Sequence, residues 1–138
     1  MLRRLHSPTY PSKWLDCDLV CIVSTFLHLN PSSIIIILCR LDSYDIFKDP
    51  VTESEVPGYH AIITRPMDFG TMRSKVVQGK YGKGSNAAAK FYNDFLLVFD
   101  NCHKFNGGGG EVVDEAMLIL RAVPLTFAKA CQEVMRSN

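Results

Sequence analysis

The clearest hydrophobic pattern in the chain lies between Ser85 and Asn106. Phe91, Phe95, Val98, Phe99 and Cys102 recur at intervals of three and four residues, the spacing that puts one stripe of an α-helix against a core. Ser85 or Asn86 offers an N-cap, and Gly107–Gly110 make continuation beyond Asn106 costly while supplying a flexible loop. A last helix is predicted from about Glu111, with Val113, Ala116, Met117, Leu120, Val123 and Phe127 on its buried face. Pro124 removes an amide donor inside it, which predicts a kink or local break. Upstream, Ile34, Ile37, Leu38 and Leu41 follow the same helical rule after Pro31, with Ser32 or Ser33 as cap. The run of four isoleucines also suits a buried strand. Asp68 can cap a short helix carrying Met72 and Val76 and ending near Gly79, and a glycine-containing turn follows from Tyr81 to Ser85.

Between Asp45 and Pro66 the chain has Pro50, Pro57, Gly58 and Pro66 and no sustained period, which reads as a long irregular connection. Loops of that length in compact domains are usually functional. The order helix, long loop, short helix, turn, long helix, glycine loop, long helix predicts an all-α bundle. We divide the chain into an N-terminal extension, residues 1–30, and a folded domain, residues 31–136. The extension lacks readable boundary signals. Its Leu19, Ile22, Val23 and Phe26 are nevertheless spaced i, i+3, i+4, i+7, so a short amphipathic helix over Leu19–Leu29, laid outside the bundle, is the simplest way to hide them.

With 138 residues and 47% hydrophobic content the chain suits one domain with one core. The formal net charge is +1, so no global basic field points to nucleic acid, and no sequence-specific nucleic-acid contact is expected. The local balance differs. From Asp45 to Asp68, five acids (Asp45, Asp49, Glu53, Glu55, Asp68) stand against Lys48 and Arg65, a local charge of −3. The five cysteines are odd in number and unpaired in spacing, which argues against a disulfide framework or zinc finger and for a reducing compartment. Arg3 and Arg4 before the apolar run at Leu19–Leu29 superficially resemble a signal peptide, but Pro11, Asp16 and Asp18 interrupt it. His28, Asn30 and Pro31 cut the same run short of a membrane span, so a soluble protein without membrane contact is expected. Cys17, Cys21 and His28 lack a fourth metal ligand at a credible spacing. Cys102 and His103 point about 100° apart on a helix with no third partner, so neither a catalytic residue, a cofactor nor a metal is expected.

Four strings then occur in a telling order. They are Phe47-Lys48-Asp49-Pro50-Val51, Val56-Pro57-Gly58-Tyr59, Ile62-Ile63 followed by Arg65-Pro66-Met67-Asp68-Phe69-Gly70-Thr71-Met72, and Phe99 through Asn106. In order and spacing they resemble the bromodomain signature, from Ile34 to about Met135, and the Pro66–Met72 string most resembles bromodomains of chromatin-remodelling subunits. The resemblance implies a left-handed four-helix bundle with a long loop between its first two helices. It implies an acetyl-lysine pocket in which Asn106 meets the acetyl group and Tyr59 holds a water. Phe47, Val51 and Val56 would form one wall, Cys102 and Phe105 the floor, and Val112 the gatekeeper. It also implies acetylated histone tails and other chromatin-complex subunits as partners, and a nuclear location. Two positions depart from the pattern: Asp45-Ile46-Phe47 stands where many members have Trp-Pro-Phe, and four glycines follow Asn106. These departures motivate a rival reading, a degenerate bromodomain serving as an interaction scaffold.

The chemistry is legible without the family. Acetyl-lysine is a neutral amide on an apolar stem, so its pocket needs apolar walls and one donor for the carbonyl oxygen, which an asparagine NH2 at a helix end supplies. Unmodified lysine would bring an ammonium into walls that cannot solvate it. The plainer reading of Asn106 is a helix C-cap before glycine, and of Tyr59 a half-buried tyrosine with a satisfied hydroxyl.

Overall fold

The computed structural model describes residues 24–26 and 28–137. Five bounded helices occur among them: α1 (Pro31–Leu41), α2 (Tyr59–Ile62), α3 (Phe69–Val77), α4 (Gly84–Phe105) and α5 (Glu111–Ser137). No strand occurs among the described residues. The isoleucine run is helical, because Asn30 starts it: the Asn30 side chain accepts from Ser33 N at 2.8 Å and Pro31 occupies the first turn. The cap expected at Ser32 or Ser33 therefore lies two to three residues earlier, at Asn30. Ile34, Ile35 and Leu38 are the residues it buries.

The four longer helices close a ring. α1 packs on α3 and α5, and α4 packs on α3 and α5 from the other side, with α2 also against α4. This is a helical bundle with one core, as the hydrophobic pattern predicts. α4 is its centre: Phe91, Phe95, Val98, Phe99 and Cys102 are all buried, and so are Tyr92, Leu96 and Leu97. The α5 stripe is buried at Val113, Ala116, Leu120, Val123 and Phe127, with Ile119 added and Met117 only half-buried. α5 is continuous through Pro124, so of the two outcomes expected there, a kink or a break, the break does not occur. The helix expected over Leu19–Leu29 lies mostly outside the described residues; residues 24–26 are helical and Phe26 meets the Phe91 ring at 5.4 Å.

Polar groups fix how the helices sit. Asp68 caps α3 as expected, accepting from Thr71 N at 2.8 Å and from its hydroxyl at 2.6 Å. α4 starts at Gly84, ahead of both proposed caps, and Lys83 at its N-cap position makes no side-chain capping bond. Buried Asp94 instead ties α4 to α3, accepting from Tyr81 Oη at 2.7 Å and pairing with Lys75 Nζ at 2.5 Å. The apolar period of α4 gives no hint of this carboxylate. It is tolerated because its charge is paired and hydrogen-bonded.

The connection between α1 and α3 is not wholly irregular. Asp42, 1% exposed, accepts from Ile46 N at 2.9 Å and Phe47 N at 2.8 Å. Burial pushes its carboxyl above the usual carboxylate range although both N–H donors work against the shift. That turn delivers Phe47 onto Phe99 and Phe69, with ring centroids 5.6 and 6.0 Å apart. Further on, the four-residue α2 is too short to show a period in the sequence.

Candidate binding site

Loop, helix ends and glycine turn meet over the C-terminal end of α4. There they enclose a cavity of about 190 Å³ lined by loop and helix residues, including Asn106 and Val112 on either side of the glycine turn. Every residue singled out from the sequence lies on it: Phe47, Val51 and Val56 from the loop, Tyr59 from α2, Cys102 and Phe105 from α4, and Asn106 and Val112 from either side of the glycines. Sequence reasoning missed five more lining residues: Ile46, Asp49, Met67, Asp68 and Val98. Val98 sits one helical turn before Cys102, so its period carried a usable signal. Nothing local marked the other four. Ile46 supplies apolar wall at the place where the tryptophan-proline pair is absent.

Asn106 is the C-cap residue of α4, and its backbone N–H donates to Cys102 O at 3.1 Å. Its side-chain Nδ2 donates to the same carbonyl at 2.8 Å. The plain capping role is thus real, and it does not exhaust the group. An amide nitrogen has two hydrogens, so one N–H anchors the side chain to the helix end, while the other has only the weak acceptor Cys102 Sγ near it, 3.9 Å from Nδ2, and can be given to a ligand. The bond also settles which end of the amide faces the helix, because only the NH2 end can face a carbonyl oxygen.

The glycines past Asn106 form a hydrogen-bonded turn. Gly107 and Gly108 have φ of 64° and 84°, left-handed values that glycine adopts without a Cβ penalty. Gly108 N donates to His103 O at 3.0 Å, the six-to-one bond of a Schellman motif. The turn redirects the chain into α5, whose second residue, Val112, is 37% exposed at the cavity mouth.

Tyr59 is 7% exposed and its ring lies 5.0 Å from that of Phe105. Burial raises its phenol above the ordinary value, with Cys102 and Asp68 adding to the effect, so the hydroxyl is protonated at neutral pH. Burial also pushes the Cys102 thiol up to about 11, against a smaller lowering from Asn106. A thiol with that value is protonated at neutral pH and a poor nucleophile. Among the described residues no three His, Cys, Asp or Glu side chains are grouped as metal ligands, and no helix is long and apolar enough to cross a membrane.

α2 holds Tyr59 in place through Glu53. One carboxylate oxygen accepts from Gly58 N at 2.6 Å; the other accepts from His60 N at 3.3 Å and lies 3.1 Å from His60 Nδ1. These bonds, Gly58 first, hold Glu53 below its usual value of 4.5. A depressed carboxylate contributes above its unfolded pKa and loses that contribution as pH falls through the folded one. We expect Glu53→Gln to weaken ligand binding by roughly twofold at pH 7, where one carboxylate acceptor is lost. The gap from wild type should close in acid, as pH falls through the depressed folded value of Glu53. Titrations at neutral and acid pH check this; a gap that persists at low pH contradicts it.

Two roomier clefts lie elsewhere. One of about 270 Å³ between α4 and residues 63–65 is lined by Arg65, Asp100, His103 and Lys104 among others, and one of about 460 Å³ lies between α1 and α5. The first also holds an anchored amide, Asn101, whose Nδ2 donates to Arg65 O at 2.8 Å, but among mostly polar and charged side chains, and the second is lined by no amide side chain.

Comparison with known proteins matches the Bromodomain profile over residues 34–118. Bromodomain adjacent to zinc finger domain protein 2A of Homo sapiens is 45% identical over 80 residues, covering 56% of this chain and 4% of that protein. Bromodomain-containing protein 9 of Mus musculus is 42% identical over 69 residues, covering 50% of this chain and 11% of that protein. The chain thus spans a small part of the length of these relatives. Among solved structures, the bromodomain from Leishmania donovani complexed with bromosporine is similar at a TM-score of 0.59 and 28% identity, covering 76% of this chain and 82% of that one. A Trypanosoma cruzi bromodomain is similar at 0.60 and 27%, covering 78% and 87%. The profile match takes in more than half of the chain, and the chain belongs to the bromodomain family, whose members are acetyl-lysine readers in chromatin proteins.

Proposed function

We propose that this chain binds acetylated lysine of histone tails through the cavity at Asn106 and so recruits a nuclear chromatin-associated complex to acetylated chromatin. The observation that carries this reading is the second N–H of Asn106, set in a cavity otherwise walled mostly by apolar side chains. An acetyl carbonyl satisfies that donor, and the lysine stem fits apolar walls. A lysine ammonium has no acceptor to offer it. The protonated Tyr59 hydroxyl suits a bridging water between protein and ligand. The chain acts as a reader, with acetyl transfer and removal left to partners.

A small cavity without a shelf tryptophan, Asp45 standing at that position, sets modest affinity. A singly acetylated histone peptide should bind with Kd of roughly 10 µM to 1 mM, about −7 to −4 kcal/mol. Calorimetry with acetylated and unmodified peptides of one sequence tests the reading, and an array of acetylated tails then identifies the site. Equal affinity for both forms refutes the proposal; a nanomolar constant for a single acetyl-lysine refutes the affinity argument.

A further inference from the structure

The loop acids beside the cavity are not equivalent, and the structure sorts them. Asp68 lines the cavity but is spent on Thr71 at the start of α3. Glu53 is engaged by Gly58 and His60, while Asp45 and Glu55 are exposed and do not line the cavity. Asp49 alone is exposed, lines the cavity wall between Phe47 and Val51, and makes no hydrogen bond or ion pair among the described residues. A carboxylate at the mouth of a site meant for a neutral amide contributes nothing to binding that amide. It does act on whatever flanks it.

We propose that Asp49 is a specificity-determining residue that selects acetyl-lysine with a free lysine or arginine within two residues of it. This rests on the acetyl-lysine reading above and deepens it. A bound tail is extended at about 3.3–3.6 Å per residue, so side chains one or two positions from the acetyl-lysine pass the cavity rim. An ammonium or guanidinium there pairs with Asp49 in solvent, while a glutamate is repelled. An exposed pair of this kind is weak, so the preference is graded.

Three peptides sharing one acetyl-lysine and carrying lysine, alanine or glutamate beside it discriminate the idea by calorimetry with the whole chain. Wild type should favour lysine over alanine by about twofold to fivefold, and glutamate should rank last. Asp49→Asn should level the three, Asp49→Lys should invert the order, and Glu55→Gln should leave it unchanged. High salt should narrow the wild-type spread. If all three peptides bind wild type equally, or if Asp49→Asn keeps the lysine preference, the assignment of Asp49 is wrong while the acetyl-lysine reading stands. If no acetylated peptide binds the folded chain, both fall.

Discussion

Asn106→Ala should weaken binding of an acetylated peptide by about 1–3 kcal/mol, roughly fivefold to 150-fold, with the bundle still folded. The loss is large because the variant leaves an acetyl carbonyl desolvated without a donor. Stability should fall much less, since the Asn106 backbone N–H still closes the helix onto Cys102 O and Gly108 still closes the turn onto His103 O. Asn106→Asp separates shape from donation: it keeps the side-chain size but faces the ligand carbonyl with acceptors only, and should bind no better than alanine. Tyr59→Phe should cost less, because water can partly re-bridge the site. A folded Asn106→Ala chain with wild-type affinity would move the acetyl group away from this residue.

Gly70→Ala should destabilise the fold by about 1–3 kcal/mol, the usual range for overpacking, although glycine-to-alanine in a helix ordinarily stabilises. The reversal comes from one contact. A Cβ on Gly70 would lie 2.4 Å from Lys48 O, and that oxygen is fixed backbone because Gly70 N donates to it at 2.8 Å while Phe69 N donates to Phe47 O at 2.7 Å. The loop and the first turn of α3 are thus sewn together by the amides a helix start leaves free. Making room for a methyl group pushes the loop outward and takes Ile46, Phe47 and Asp49 with it, all three on the cavity wall. Thermal unfolding should drop by several degrees, and acetyl-peptide affinity should fall with it. A variant that melts higher than wild type would show that this contact yields cheaply.

Much of the molecule was legible in the sequence, and the legible parts share a cause. The stripes of α4 and α5 and the Asp68 cap are local facts, because helical periodicity records which face meets the core and a cap acts within three residues. The ordered strings around Phe47, Tyr59, Asp68 and Asn106 pointed to the family, and the residues drawn from them do line one cavity. What stayed hidden was held by partners distant in the chain or by atoms without a pattern. Asp94 looks like an ordinary polar residue until Lys75 and Tyr81 are placed beside it. α2 has only four residues, and it depends on a glutamate five residues before Gly58.

The sequence by itself determined an all-α bundle, because burying apolar stripes at a 3.6-residue period leaves a chain of this size few other ways to hide them. It also singled out side chains that prove to line one cavity. Only the tertiary structure decided where those side chains stand: that α3 begins against residues 47 and 48, that the Asn106 amide spends one N–H on Cys102 and retains the other, and that Asp49 is the acid left free at the cavity. The reason is physical. Periodicity encodes burial, a property of each residue's own helix, whereas a cavity is the space left between elements and depends on contacts such as Gly70 with Lys48, twenty-two positions apart in the chain.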